Sequence, residues 1–171
     1  MKDLLHLIQD VPDFPKKGIV FKDITPLLKD HSAVNTCLEY FIKALEGVKI
    51  DKVVGIESRG FLFGMLLAQR LGVGFVPIRK LGKLPGKVLS ENYNLEYGTD
   101  ALEIQENAIA SGEKVLIHDD VLATGGTAKA ACNLIERLNA EVVAVNFLIE
   151  LTFLEGATPL EAYKIHSIFK Y

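Results

Sequence analysis

The sequence predicts an α/β protein with a doubly wound, parallel sheet in one domain, residues 1–171. Short apolar runs alternate with segments of helical periodicity through the middle of the chain, which is typical of parallel strands connected by helices. A length of 171 residues suits one well-packed domain and is short for two. The composition, 49% hydrophobic and 24% charged, is ordinary for a globular protein.

The predicted elements of this core follow from hydrophobic periodicity and from the glycines and prolines between the runs. In chain order they are a helix at residues 32–45, a strand at 52–56, a helix at 60–70, strands at 74–78 and 114–117, a helix at about 127–139 and a strand at 141–149.

Two segments lie outside this alternation. Residues 1–30 are punctuated by prolines and a glycine, and residues 80–106 open with a loop rich in Gly, Pro and Lys. Two β-like runs, 93–97 and 101–105, then predict a hairpin that turns at residues 98–100. A long loop joined to a hairpin and inserted in an α/β core predicts a mobile lid. The loops after Ile56, Ile78 and Ile117 are expected to meet at the carboxyl edge of the sheet, where ligands bind in such folds.

Composition argues against several classes of partner. The net charge of −3 provides no general attraction to nucleic acid or to an anionic membrane. The apolar stretches are interrupted by polar residues, so no membrane span is expected. The two cysteines, Cys37 and Cys132, form no metal-binding or disulfide pattern, and the N-terminus lacks a signal-peptide core. We therefore expect a cytoplasmic protein.

The most informative motif lies at residues 115–127. An apolar run leads into Asp119 and Asp120, and a loop of Thr and Gly then opens a helical pattern. Backbone N–H groups at a helix N-terminus favour a phosphate, and carboxylates accept hydrogen bonds from ribose hydroxyls or face a metal ion. The alternative is a simple strand-to-helix turn capped by Thr127, which leaves the two carboxylates unexplained.

Residues 115–127 resemble the signature of the type I phosphoribosyltransferases. Residues 18–26, 55–64, 79–86 and 95–98 match in family order and narrow the resemblance to members that act on adenine. It implies that family's fold, with a base-binding hood at residues 1–30 and the lid at 80–106. It also implies transfer of the 5-phosphoribosyl group from 5-phosphoribosyl-1-pyrophosphate to N9 of adenine, giving AMP for purine salvage. A homodimer is implied as well, and Mg²⁺ held mainly by the substrate rather than by protein ligands.

The resemblance also implies roles for individual residues that bind the phosphoribosyl donor. Those for the 5′-phosphate and ribose are Asp119, Asp120, Ala123, Thr124, Gly125, Gly126 and Thr127. Those for pyrophosphate are Ser58, Arg59, Arg79, Lys80 and Lys83. The loop that contains Ser58 commonly holds a cis peptide in the family, here between Glu57 and Ser58. Without the resemblance, the simpler interpretation is that Ser58 caps a helix and that the basic residues form an ordinary solvent-exposed surface.

Further roles concern adenine and catalysis. The residues for the base are Val20, Phe21, Lys22 and Val121, with Phe21 stacking on the ring. Glu96 and Asp120 are the candidate catalytic residues, and Tyr97 closes the lid. From the residues alone, Phe21 can be interpreted as an aromatic residue of the core, and Glu96 as an exposed carboxylate on a hairpin. Lys22 stands where many members have Arg, and His118 where an apolar or acidic residue is common.

Three other functions remain open from the sequence. The first is phosphoribosyl transfer to xanthine, hypoxanthine, guanine or orotate. The second is a non-catalytic regulator that senses the phosphoribosyl donor. The third, another nucleotide-binding α/β protein, is disfavoured because the chain lacks the Walker A and GxGxxG patterns.

Overall fold

The computed structural model describes residues 2–94 and 99–171. These form two compact units, Met1–Tyr40 and Phe41–Tyr171. The sequence placed the boundary of the N-terminal segment at residue 30, ten residues earlier. None of the described helices combines the length and the hydropathy that a membrane span requires.

The first unit contains a two-stranded antiparallel sheet that the sequence did not predict. Strand β1 is Gln9–Pro12 and β2 is Val20–Asp23, paired from Gln9↔Asp23 to Pro12↔Val20. A 3-10 helix, Lys2–Leu7, precedes them. Helix α1, Thr25–Lys29, follows, with Pro26 in its first turn, where a missing N–H costs no hydrogen bond. Helix α2, His31–Ala44, begins in this unit.

The second unit is built on a seven-stranded sheet with the order β5-β6-β4-β3-β7-β8-β9. Strands β4, β3, β7, β8 and β9 are parallel, and β6 and β5 continue the sheet in antiparallel pairing. Its strands are β3 Lys52–Ile56, β4 Gly74–Lys80, β5 Val88–Asn94, β6 Thr99–Gln105, β7 Lys114–Leu122, β8 Glu141–Glu150 and β9 Ile165–Lys170. Its helices are α3 Gly60–Leu71 and α4 Gly126–Arg137, with 3-10 turns at Thr152–Leu154 and Thr158–Leu160. This architecture confirms the predicted α/β class.

The core lies along the central parallel strands. Val53, Val54 and Ile56 of β3 have no exposed surface, and neither do Val115–Ile117 of β7. Such strands are covered on both faces, which is why they are continuous apolar runs in the sequence rather than alternating patterns.

Strands β7, β9, β5 and β6 of this sheet differ from the prediction. Strand β7 continues past Ile117 to Leu122, because its backbone keeps pairing with β8 through Asp119↔Phe147 and Val121↔Ile149. Strand β9 was not predicted, and it pairs with β8 in parallel. The hairpin is confirmed by the antiparallel pairing of β5 with β6, but its first strand starts at Val88 rather than at residue 93, and both Thr99 and Asp100 lie in β6 rather than in the turn. The hairpin also extends the main sheet, with Leu102 and Ile104 of β6 in the core.

Candidate active site

Three loops meet at the carboxyl edge of the parallel strands, as predicted. Strand β3 lies between β4 and β7, so the chain continues from β3 to β4 on one side and later returns to β7 on the other side. Ligands bind at such a switch point in open α/β sheets. Two contacts show that the loops come together: Arg59 Nε lies 2.8 Å from Asp120 Oδ2, and Arg79 Nε lies 3.2 Å from Glu57 Oε2.

The loop after β7 encloses a small cavity. Gly125 adopts a φ of 83°, which glycine permits at low cost, and α4 starts at the next residue, Gly126. Thr127 is therefore inside the helix and is not its cap, so the capping alternative is wrong. The residues lining this cavity of about 70 Å³ are Asp119, Val121, Leu122, Ala123, Thr124, Gly125, Thr127 and Ala128. Of the predicted phosphate residues 123–127, all but Gly126 thus line one cavity at a helix N-terminus.

A second glycine, Gly156, supports this loop from outside the motif. A Cβ atom built on Gly125 would overlap the carbonyl oxygen of Gly156, and one built on Gly156 would overlap the carbonyl oxygen of Ala123. The two backbones are therefore in direct contact, with Pro159 beside them. Sequence reasoning missed Gly156, since a Gly-Ala-Thr-Pro run is typical of any surface turn.

The two adjacent carboxylates have different partners. Successive residues of a strand point to opposite faces, and accordingly Asp119 lines the cavity whereas Asp120 pairs with Arg59. Asp119 Oδ1 also accepts a hydrogen bond of 2.8 Å from the backbone N–H of Asp120. Burial and the neighbouring Asp120 raise the pKa of Asp119 well above its usual value. Burial also raises the pKa of Asp120, against the opposing effect of the Arg59 guanidinium.

The loop after β3 has the predicted cis peptide between Glu57 and Ser58. Helix α3 begins at Gly60 with Arg59 as its cap residue and no side-chain capping bond, so the alternative role of Ser58 as a cap is wrong. Gly60 packs closely on the next strand, because a Cβ there would lie 2.8 Å from the carbonyl oxygen of His118. The glycine therefore lets the pyrophosphate-loop candidate approach the carboxylates.

The predicted pyrophosphate cations are each close to a carboxylate. Arg79 and Lys83 both contact Glu57, with Lys83 Nζ 2.6 Å from Oε1. Lys80 Nζ lies 3.1 Å from Asp100 Oδ2 on the hairpin. The sequence placed Glu57 only within a loop, and nothing in the local pattern indicated that it binds the cations of the next strand.

The hairpin is attached to the C-terminal half of helix α4. Asn133 Nδ2 donates to Glu91 Oε1 at 2.9 Å, and Arg137 Nη1 lies 2.8 Å from Glu91 Oε2. The predicted catalytic Glu96 and lid residue Tyr97 lie outside the described residues, so their roles stay predictions.

The predicted base-binding residues are divided between the two units. Val20, Phe21 and Lys22 belong to β2 of the first unit, and Val121 belongs to β7 of the second. Phe21 is half-buried rather than a core residue, and its ring meets Phe14 edge-on at a centroid distance of 5.1 Å. Lys22 Nζ lies 2.6 Å from Asp10 Oδ1.

His118 has a structural environment. Its ring is fully buried, with centroids 5.4 Å from Phe41 and 6.1 Å from Phe63. Nδ1 lies 2.7 Å from Asn146 Oδ1, and because an amide oxygen only accepts, we assign the proton to Nδ1. Burial lowers the pKa of His118 to about 4, although the Asn146 bond opposes this. The ring is thus neutral near pH 7.

Comparisons with known proteins match nearly the whole chain. Residues 26–164 match the family model described as the phosphoribosyl transferase domain. The adenine phosphoribosyltransferase of Christiangramia forsetii is 56% identical over 169 residues, covering 99% of each chain. The crystal structure of adenine phosphoribosyltransferase from Thermoanaerobacter pseudethanolicus matches with a TM-score of 0.97 and 55% identity, covering 99% of each chain. The Saccharomyces cerevisiae protein, solved with adenine and an imino-altritol bisphosphate, has a TM-score of 0.92 and 45% identity over 97% of this chain and 96% of that one.

Proposed function

Because this chain belongs to the adenine phosphoribosyltransferase family of purine-salvage transferases, we propose that the loops at the carboxyl edge of its sheet divide the substrates among them. The reaction transfers the 5-phosphoribosyl group from 5-phosphoribosyl-1-pyrophosphate to N9 of adenine, giving AMP and pyrophosphate. The observation that carries the assignment of parts is the cavity at the N-terminus of α4, lined by Asp119 and the Thr-Gly loop.

The ribose 5-phosphate is assigned to this cavity. Backbone N–H groups at the helix start and the hydroxyls of Thr124 and Thr127 suit the 5′-phosphate, with Ala123, Gly125 and Gly126 allowing a close approach. Asp119 faces the ribose because it lines the cavity. Asp120 lies on the opposite face of β7, where it pairs with Arg59. We assign to it, as a candidate catalytic residue, the stabilisation of positive charge that develops at the sugar in an oxocarbenium-like transition state.

Pyrophosphate is assigned to the loops that follow β3 and β4. Ser58 and Arg59 provide a hydroxyl and a guanidinium, and Arg79, Lys80 and Lys83 supply further positive charge. Mg²⁺ fits this site because it prefers oxygen ligands and usually binds through substrate phosphates while keeping several waters, so the donor itself would be its main ligand rather than a protein side chain. When bound, the ion neutralises charge on the leaving pyrophosphate.

Adenine recognition and proton transfer are assigned from the sequence. Phe21 stacks on the base, the backbone of Val20 and Lys22 reads its edge, and Val121 covers the other face. Adenine accepts at N1 and donates at N6, whereas hypoxanthine reverses both roles, so a fixed backbone pair rejects it by leaving buried polar groups unpaired. Glu96 exchanges the proton with the purine, and Tyr97 closes over the site.

A homodimer in the cytoplasm completes the proposal. Leu62, Met65 and Leu66 are exposed at i, i+3 and i+4 of α3, so they form one apolar helix face, which is typical of a surface that another chain covers. Sedimentation of the purified chain measures this directly. A monomer at micromolar concentration contradicts the dimer and leaves the reaction untouched.

The reaction is tested by incubating the purified chain with labelled adenine, 5-phosphoribosyl-1-pyrophosphate and Mg²⁺. We expect AMP and pyrophosphate in equal amounts, and competition by hypoxanthine, guanine, xanthine or orotate only at much higher concentration. Reactions that lack the donor or the metal are the controls. Absence of AMP above background, with donor binding intact, favours the non-catalytic donor sensor instead.

A further inference from the structure

Glu57 is a buried carboxylate with every acceptor position in use. Its side chain is 7% exposed. Oε1 accepts from Lys83 Nζ at 2.6 Å and from Arg79 Nη2 at 3.3 Å. Oε2 accepts from the backbone N–H of Lys80 at 2.9 Å and from Arg79 Nε at 3.2 Å. A buried charge is stable only when it is paired and hydrogen-bonded, and Glu57 meets both conditions.

The charge of Glu57 persists at all pH values of interest. Burial opposes the charged form, but the bonds from Lys83, from the Lys80 backbone and from Arg79 outweigh it and lower the pKa of Glu57 to about 2. The carboxylate is therefore a permanent counter-ion of Arg79 and Lys83.

The cations lie outside and the carboxylate lies inside. The Arg79 and Lys83 side chains are 33% and 47% exposed, against 7% for Glu57. Within the described part of the chain, three of the five N–H groups of Arg79 and one of the three of Lys83 are engaged. The remaining donors are available to a second anion, and the three side chains together keep a charge of about +1.

Three further hydrogen bonds hold the segment that carries the cations and the residue that binds them. Arg79 Nη1 donates to the carbonyl oxygen of Lys83 at 3.3 Å, which closes the segment on itself. Gly82 N–H donates to Glu103 Oε2 at 2.9 Å, and Glu103 is itself buried. The backbone N–H of Glu57 donates to the carbonyl oxygen of Ile78 at 2.9 Å, so the carboxylate is held at the end of the β3–β4 pairing.

We propose that Glu57 is a positioning residue that holds Arg79 and Lys83 as a preformed receptor for the pyrophosphate group of the donor and does not itself contact the substrate. The inference rests on the proposed function, which assigns pyrophosphate to these cations. Preorganisation of this kind raises affinity because the ordering of two long side chains is completed before the anion arrives.

The test compares Glu57→Gln with Glu113→Gln. Glu113 is the matched control, because it also pairs with a lysine, Lys52 Nζ at 3.2 Å, but precedes β7 at the opposite edge of the sheet. Steady-state kinetics give KM for the donor, KM for adenine and kcat, and product inhibition gives the affinity for pyrophosphate. In Glu57→Gln we expect KM for the donor and the inhibition constant for pyrophosphate to rise about tenfold each, with KM for adenine and kcat within about threefold. Glu113→Gln keeps all four values.

Other outcomes overturn the proposal. Unchanged donor and pyrophosphate constants in a folded Glu57→Gln protein reduce Glu57 to a structural residue. Tighter pyrophosphate binding means that Glu57 competes with the substrate for the cations. A wild-type chain that forms no AMP defeats the proposed function itself, which is a separate result.

A measurement on the unmodified protein applies if Glu57→Gln does not fold. The Arg79 Nε–H resonance, assigned by its loss in Arg79→Lys, is followed with and without inorganic pyrophosphate. We expect it to stay protected from solvent exchange in both states, because Arg79 keeps its bond to Glu57. Loss of protection on binding shows that the arginine leaves Glu57 and contradicts the proposal.

Discussion

The loop at residues 123–127 and the basic segment at residues 79–83 are both assigned to phosphate groups, yet they are built differently. The first offers backbone N–H groups at the start of α4, and its shape is set by the contact of Gly125 with Gly156. The second offers side-chain cations that bind the Glu57 carboxylate, on a segment whose Gly82 N–H donates to the buried Glu103. We call residues 123–127 the backbone-built region, because it depends on backbone shape, and residues 79–83 the charge-built region, because it depends on side-chain charge.

The difference matches what happens to each group in the reaction. The 5′-phosphate stays on the sugar from donor to AMP, so a rigid receptor that tolerates no change of volume suits it. Pyrophosphate must bind and then leave, so a receptor made of partly balanced, half-exposed charges suits it better. The backbone-built region should be sensitive to added atoms and the charge-built region to salt.

The largest effect is expected from Gly125→Ala. The backbone at this position has a φ of 83°, which alanine adopts only at an energetic cost. The new methyl group also overlaps Gly156 and Pro159. The loop must move, and a displacement of about 1 Å can reduce turnover about a hundredfold. Steady-state kinetics with varied donor measure the loss in kcat/KM.

Gly112→Ala is the control for this change. Gly112 has nearly the same φ, 81°, but no described atom lies within 4 Å of a Cβ built there. We expect a loss of about 1 kcal/mol in stability and unchanged kinetics. Equal kinetic losses in both variants contradict a role for the Gly125–Gly156 contact.

The second effect concerns pH and His118, which is buried in the strand that leads into the backbone-built region. Burial lowers the pKa of His118 from its ordinary value of 6.5 to about 4 in the folded protein. As the pH falls, the histidine of the unfolded chain therefore binds a proton before the histidine of the folded protein does. The contribution of His118 to stability is therefore complete above about pH 6.5 and is lost as the pH falls toward about 4. Between pH 7 and 5 the free energy of unfolding should fall by about 2 kcal/mol through this residue.

Urea denaturation at the two pH values checks this, with His118→Gln as the test and His31→Gln as the control. The first substitution should flatten the pH dependence, and the second, at an exposed histidine, should leave it unchanged. A wild-type-like slope in His118→Gln contradicts the assignment of a neutral, buried ring.

The sequence predicted the backbone-built region well because its parts are contiguous. A buried strand, two carboxylates, a glycine turn and a helix start all lie between residues 115 and 127. The order of these parts along the chain predicts a phosphate-binding loop beside two carboxylates, and the structure has a cavity at this loop. The structure corrects only the end of the strand, which includes the carboxylates.

The supports of both regions could not be predicted because they are distant in sequence. Glu57 lies 22 residues from Arg79 and 26 from Lys83, and Gly156 follows the phosphate loop by a strand and a turn. Such contacts leave no periodicity or motif in one sequence. Strands β1 and β2 were not predicted for a related reason, since four-residue strands in which no residue is buried have little apolar pattern.

The third effect tests the charge-built region through Lys83→Met. This change removes one cation and its bond to Glu57 but keeps the aliphatic stem. We expect KM for the donor to rise about tenfold and its dependence on salt to become shallower, because fewer charges are screened.

Lys49→Met is the matched control, since Lys49 pairs with Asp51 at 3.0 Å and precedes β3 at the other edge of the sheet. It should leave KM and its salt dependence unchanged. A Lys83→Met protein whose salt dependence equals that of the wild type contradicts the description of this region as one that binds by charge.

The smallest effect is expected from Asp100→Asn, which asks how far the charge-built region extends. Lys80 Nζ lies 3.1 Å from Asp100, but the Lys80 side chain is 52% exposed. The backbone N–H of Ala101 and the Lys80 ammonium lower the pKa of Asp100, so its charge is present at neutral pH. Exposed ion pairs contribute about 0–1 kcal/mol, so KM for the donor should change less than about threefold in steady-state kinetics. A tenfold rise would mean that Asp100 positions Lys80 as we propose that Glu57 positions Arg79 and Lys83, and that the receptor for pyrophosphate includes the hairpin.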